Sequence, residues 1–231
     1  MKRHELEHLI RAAADITGEQ ELVIIGSQAV LGQFPEAPDA LLVSMEADIH
    51  PVRAPELGTA IELHMGEGSR FDRTHGYHAD GIERGLPPLP QEWEQRVVPI
   101  CNENTNGATG WCLEVHDIAA AKYAAHREKD LRYTRDLWEA GMLDAQTLDE
   151  RIRTIRIDPP EKRAIVERTV RKQRALHDTG RRPRGAGARL APVQSGEEGA
   201  KPRGKPTLTA RVQKATQPRR RRGKQGEDQE Q

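Results

Sequence analysis

The sequence predicts an α/β fold over residues 1–176 followed by a disordered basic tail over residues 177–231, and three observations carry that expectation. Segments with helical apolar spacing alternate with short β-branched runs, the order that α/β folds leave in a sequence. All Trp, Tyr and Phe residues lie before residue 176. Beyond that point the chain turns to Arg, Lys, Pro, Gly and Gln and ends in the run Arg219-Arg220-Arg221-Arg222. Without an apolar pattern to bury, such a segment cannot offset the entropy of ordering its backbone.

Residues from about Lys2 to Ile16 repeat apolar side chains at Leu6, Leu9, Ile10 and Ala13, a helical spacing that Gly18 stops. Leu22-Val23-Ile24-Ile25 is a continuous apolar run, the mark of a strand buried on both faces. Gly26-Ser27 follows, and Gln28 to Leu31 reads as the start of a helix. A strand is expected from Leu41 to Ile49, closed by Pro51, and a helix from about Pro55 to Met65. Gly and Pro between Gly66 and Pro90 predict loops and short pieces. Strands near Arg96 to Cys101 and Trp111 to Val115 flank a polar turn at Asn102 to Gly110, as in a hairpin. Asp117 is the expected N-cap of a helix over Ile118 to Arg127, with further helices at Leu131 to Ala140, Thr147 to Ile155 and Glu161 to Arg174.

The formal charge of zero conceals two opposite parts. Residues 177–231 hold 14 Lys and Arg against 6 Asp and Glu, a net of +8, which leaves −8 on the first 176 residues. A basic arm of this kind attracts nucleic acid through counterion release, and equally well only solvates or folds back on an acidic domain. No apolar run approaches the roughly 20 residues that span a bilayer, and the charged amphipathic start is unlike a signal peptide, so no membrane partner and a cytoplasmic location are expected. Cys101 and Cys112 lack metal-ligand spacing and read as buried thiols.

Two segments carry chemistry. In the first, Val23-Ile24-Ile25-Gly26-Ser27, a Gly-Ser step after a buried strand offers backbone N–H groups and a hydroxyl to a phosphate. Further along, Glu46 and Asp48 alternate on a strand and so share a face. Paired carboxylates repel unless a cation or protons lie between them, and Mg²⁺ (or Mn²⁺) that also touches triphosphate oxygens answers that need. The same residues also fit an ordinary turn and an exposed acidic strand face. In the second segment, the alanines around Lys122 allow close packing while its long side chain reaches a site, and Arg127, Lys129 and Asp130 cluster at a junction of two helices, where Asp130 also suits an N-cap. His75 and His78, three residues apart, have no second ligand pair and are not expected to bind metal.

Gly26-Ser27-Gln28-Ala29, Ser44-x-Glu46-Ala47-Asp48, Gly66-Glu67-x-Ser69-x-Phe71, Gly76-Tyr77-His78-Ala79 and Leu113-Glu114-x-His116-Asp117, with Lys122 and Arg127-Glu128-Lys129-Asp130, resemble a bacterial nucleotidyltransferase-like family. In these motifs the chain is similar to AbiEii-type abortive-infection toxins and their toxin–antitoxin relatives. The resemblance implies a mixed sheet flanked by helices, with C-terminal helices beyond it. It also implies Gly26 and Ser27 on phosphates, Glu46 and Asp48 on the metal, and Lys122 and Asp130 on the nucleotide. With Arg127 beside them, Ser27, Lys122 and Asp130 are the expected catalytic set and Gly26, Ser27, Lys122 and Arg127 the nucleotide-binding set. Departures are Gln28-Ala29 after the Gly-Ser step, Glu46 as the first carboxylate where Asp is commoner, and no evident third carboxylate; Glu114 is the candidate for it. Without a general base, such a domain binds nucleotide but reacts slowly or not at all. The expected partners are a nucleoside triphosphate, an RNA or protein acceptor, nucleic acid on the tail and a cognate partner protein.

Overall fold

The computed structural model describes residues 1–82 and 86–180. Helix α1 (Arg3–Thr17) buries Leu6, Leu9, Ile10 and Ala13 and ends at Gly18, whose φ of 70° is left-handed and whose N–H closes on Ala14 O. Strand β1 (Glu21–Ile25) is buried along its whole length. A 3-10 turn at Ser27–Ala29 then leads into the short α2 (Val30–Gln33).

The strand expected from Leu41 begins later, and β2 spans Glu46–Pro51. The apolar residues before it are used differently: Asp39–Leu41 is a 3-10 turn that buries Leu41, while Val43 is 78% exposed. After a 3-10 turn at Pro55–Leu57 comes α3 (Gly58–Met65). Where loops and short pieces were expected, the pieces are α4 (Arg70–His75) and β3 (His78–Gly81). Ser69 caps α4 by accepting from the Asp72 N–H, and Gly76 ends it at a φ of 75°.

The hairpin is β4 (Val98–Ile100) and β5 (Thr109–Cys112). Helix α5 (Val115–Ala125) begins earlier than expected, because Glu114 and not Asp117 is its N-cap. Asp117 is instead fully buried on Arg96, which grips it at 2.9 and 2.8 Å, with Arg151 at 3.3 Å. Helix α6 (Glu128–Glu139) has Arg127 as its N-cap, so Asp130 lies inside the first turn and is not the cap. Helices α7 (Ala145–Thr154) and α8 (Lys162–Gly180) complete the described chain. Four residues of the expected tail, 177–180, are therefore helical, and the rest of it lies outside the described residues. Cys112 is buried as expected, but Cys101 is exposed; both are free.

The five-stranded mixed sheet has the order β3-β2-β1-β5-β4, with β1 antiparallel to β2 and parallel to β5. β2 and β3 run parallel, and β4 and β5 antiparallel. A methyl group on Gly110 would lie 2.4 Å from Ile10 of α1, and one on Gly32 of α2 would lie 2.5 Å from the Cys112 side chain. Gly110 and Cys112 are alternate residues of β5, so α1 and α2 pack on one face of the sheet. The opposite face carries Ile25, Asp48 and Asp80, which sit side by side in register on β1, β2 and β3.

Candidate active site

The sheet face left by α1 and α2 holds three carboxylates. Glu46 and Asp48 alternate with buried Ala47 and Ile49 along β2, and Asp80 lies directly across from Asp48 on β3. Asp48 is pushed up to about 6 by burial first and then by Asp80 and Glu46, while Lys122 and Lys129 act against the shift. Burial and neighbouring like charge thus both disfavour the ionised carboxylate at this position.

Gly26 lies where β1 ends beside Asp48. A Cβ at Gly26 would lie 2.0 Å from Asp48 Oδ2, and the backbone has a φ of 73°, so both space and conformation require glycine. The carboxylate thus presses against the Gly-Ser turn. Ser27 lines the same cleft, and its carbonyl accepts from Tyr133 Oη at 2.7 Å, which fixes α6 over the turn.

The C-terminal helices bring the cations. Lys122 from α5 lies 3.4 Å from Asp130 Oδ1 and 4.6 Å from the centre of the Tyr133 ring. Burial lowers its pKa, with Asp130 and Asp48 pulling the other way. Arg127 bonds Asp130 Oδ2 at 2.6 Å with an otherwise exposed side chain. Lys129, Arg132, Tyr133 and Asp136 line the cleft from α6 at helical spacing.

Together these groups surround a cleft of about 550 Å³. It brings together Gly26, Ser27, Glu46, Asp48, Lys122 and Arg127 of the sequence-derived set. Asp130 is fully buried and reaches the cleft only through the two cations it holds. A second pocket of about 420 Å³ shares Gly26, Asp48, Lys122 and Arg127 with the first and is otherwise walled mainly by apolar side chains, among them Ile82, Leu86, Leu113, Ile118 and Ala121.

Glu114 does not reach either pocket. Its carboxylate caps α5 at the His116 N–H, 2.9 Å away, and lies 2.7 Å from His116 Nδ1. The Asp144 N–H donates to His116 Nε2, so Nδ1 carries the proton that Glu114 accepts. Burial opposes the charge on Glu114, yet the His116 ring and amide hold the carboxylate below its ordinary range. Asp136 and Asp80 are the further carboxylates that line the cleft, and the one beside Asp48 on the sheet is Asp80. Its signal in the sequence is the alternation His78-Ala79-Asp80, which repeats the pattern of Glu46-Ala47-Asp48 over too few residues to stand out.

The carboxylates fit a hard divalent cation by donor type and by their unrelieved charge. Among the described residues, no three His, Cys, Asp or Glu side chains are grouped so that they could hold a metal ion by themselves.

A Gly-Ser turn, three carboxylates on two adjacent strands and a buried lysine thus surround one cleft. The chain belongs to the family described as "nucleotidyltransferase of unknown function (DUF6036)", which matches residues 4–174. No curated protein and no solved structure matches it. No helix among the described residues is long and apolar enough to cross a membrane.

Proposed function

We propose that the protein transfers a nucleotide from a nucleoside triphosphate to an acceptor hydroxyl. The observation that carries this reading is the shared cleft: Ser27, Glu46, Asp48, Asp80, Lys122 and Arg127 line one concavity. Glu46 and Asp48 would hold Mg²⁺ or Mn²⁺, which when bound neutralises triphosphate charge. Backbone N–H groups at Gly26 and Ser27 and the Ser27 hydroxyl suit phosphate oxygens, and Lys122 adds a point cation. Arg127 closes the phosphate end from the rim. Asp130 orients Lys122 and Arg127 and acts through them.

The reaction is in-line attack of the acceptor oxygen on the α-phosphorus. An O–P bond forms, the bond from α-phosphorus to the bridging oxygen of pyrophosphate breaks, and pyrophosphate leaves. Asp80 accepts the hydroxyl proton. Asp80, as a third carboxylate on the sheet face of the cleft, supports transfer over binding alone. The apolar pocket meets the cleft at Gly26, Asp48, Lys122 and Arg127, which supports it as the seat of the sugar and base.

The narrower likeness to AbiEii-type proteins, and with it a toxin–antitoxin or phage-defence role with a cognate partner protein, rests on the quoted motifs. Nucleic-acid contact through the tail rests on its charge. The test is incubation of the full chain with each α-labelled triphosphate, Mg²⁺ and either total RNA or cell protein. Label on one acceptor class is expected. Metal-dependent triphosphate binding without label in any fraction would favour the binding-only reading, and no binding at all would end both.

A further inference from the structure

Asp80 stands on an edge strand with its side chain 38% exposed, next to Asp48 in register and diagonal to Glu46. Like charges that close repel, and among the described residues no strand pairs with the outer side of β3, where the Glu62 carboxylate adds to the repulsion. A carboxylate 38% exposed at a sheet edge has room to turn towards water unless a neighbour holds it.

His78 lies two residues earlier on the same face, with Nε2 3.8 Å from Asp80 Oδ1. Its other ring nitrogen, Nδ1, lies 3.3 Å from Asp72 Oδ1. Asp72 is itself fixed: its Oδ2 accepts from the Gly68 N–H at 2.9 Å, and its own N–H donates to the Ser69 cap at 3.1 Å. The imidazole is only 14% exposed, so it has little room to turn. On the far side of Asp80, the Gly81 N–H donates to Glu62 Oε2 at 3.0 Å and pins the backbone. Burial, Glu62 and Glu46 all work against charge on Asp80, and His78 is the neighbour that favours it. His75 takes no part, because its ring packs with His8, Phe71 and Tyr77.

We propose that His78 is a positioning residue that holds the Asp80 carboxylate on the cleft, with Asp72 of α4 setting the orientation of the imidazole. The inference rests on the reading of Asp80 as the group that takes the acceptor proton. An Asp–His–Asp chain thus runs from the first turn of α4 to the reacting end of the cleft. Neither Asp72 nor His78 touches substrate. Partners of this kind change activity by about tenfold or more when removed, by misaligning the group they support.

The test uses the full chain and His78→Phe, His78→Gln and Asp72→Asn. In His78→Phe, kcat should fall about tenfold or more while KM for the triphosphate and the thermal midpoint stay near wild type. His78→Gln, which keeps an N–H at the Nε2 position, should recover part of kcat. A structural role alone would move the midpoint and would not be rescued in kcat. Activity-free evidence comes from the imidazole nitrogen NMR signals of His78, which should shift in Asp80→Asn and in Asp72→Asn. Wild-type kcat in His78→Phe, or His78 signals indifferent to Asp80→Asn, would overturn the proposal. If the wild type transfers no nucleotide, the proposed function fails, and the nitrogen signals still decide whether His78 holds Asp80.

Discussion

Lys122 and Asp130 form an ion pair at 3.4 Å in which the acid is fully buried and the lysine side chain 13% exposed. Asp130 keeps a second partner in Arg127 at 2.6 Å, whereas no other carboxylate pairs with Lys122 among the described residues. The two deletions are therefore unequal. Asp130→Ala should cost about 2–4 kcal/mol, because it strands a buried ammonium, while Lys122→Met should cost about 1–2 kcal/mol. Conversely, Lys122→Met should weaken triphosphate binding far more than nucleoside binding. Urea unfolding and titration calorimetry read the two effects, and Asp130→Ala with wild-type stability would show the pair to be incidental.

Asp48 gives a pH prediction. Its folded pKa is raised from 3.8 to about 6, so the proton is bound more tightly in the folded state. The associated stability is present in full below 3.8 and is lost as pH rises through about 6. Asp48→Asn removes the charged form, so the variant should be more stable than the wild type at pH 7–8, with the difference vanishing near pH 4 (roughly, from the same linkage). It should also lose metal-dependent triphosphate binding. Thermal melts across that range without Mg²⁺ check the first point, and a pH-independent difference would contradict it.

The fold was legible where periodicity is long or burial continuous. Helix α1 shows in Leu6, Leu9, Ile10 and Ala13, and β1 in four consecutive apolar residues. β3 was not, because four residues with one buried alanine carry too little pattern. Asp80, which that strand presents, was missed with it. Helix starts were misjudged for a related reason: Asp117 and Asp130 have cap chemistry, but each is buried and held by cations, Asp117 by Arg96 and Asp130 by Lys122 and Arg127, leaving Glu114 and Arg127 at the caps. The cleft residues Gly26, Ser27, Glu46, Asp48 and Lys122 were readable as candidates, although the same turn and acidic pair also fit an ordinary turn and an exposed strand face. Their convergence depends on a parallel β1–β5 pairing that brings α5 alongside the Gly-Ser turn, and long-range pairing leaves no local mark.

Gly26 admits a steric test. Gly26→Ala puts a methyl group 2.0 Å from Asp48 Oδ2 at a φ of 73°, so it should destabilise the protein and abolish triphosphate binding. Adding Asp48→Ala removes the clash but not the backbone strain, so stability should return only in part, leaving about 1–3 kcal/mol lost. Denaturant unfolding of the single and double variants measures this. A Gly26→Ala protein with wild-type stability would mean the turn relaxes freely.

The tail prediction depends on where the chain is cut. Helix α8 runs to Gly180 and His177 packs against Trp138 with ring centres 5.5 Å apart, so truncation after residue 176 removes a contact that truncation after 180 keeps. Deleting 181–231 should leave the melting temperature within about 2 °C of the full chain, while deleting 177–231 should lower it further. Only the full chain should bind nucleic acid in a salt-sensitive, sequence-tolerant way. A large loss of stability on deleting 181–231 would show that the tail packs on the domain.

The apolar pocket supports the last prediction. Its polar lining groups are Asp48, Lys122, Arg127 and Asp130, and the last three are already engaged with one another. Among the described residues, and with Asp48 assigned to the metal, a base seated there meets mainly hydrocarbon, so the four common triphosphates should bind with similar affinity. Burying on the order of 60–100 Å² of ring surface at about 25 cal/mol per Å² is worth about 1.5–2.5 kcal/mol, which is tenfold or more in Kd. Ala121 is half-buried on this wall, one residue before Lys122, and Ala121→Trp fills the space without touching the Gly-Ser turn or the carboxylates. Nucleoside triphosphate affinity should then fall to that of inorganic tripolyphosphate, whose own binding with Mg²⁺ stays unchanged. If triphosphate affinity is kept but transfer is lost, the pocket holds the acceptor, and the base must lie against α6 at the other end of the cleft.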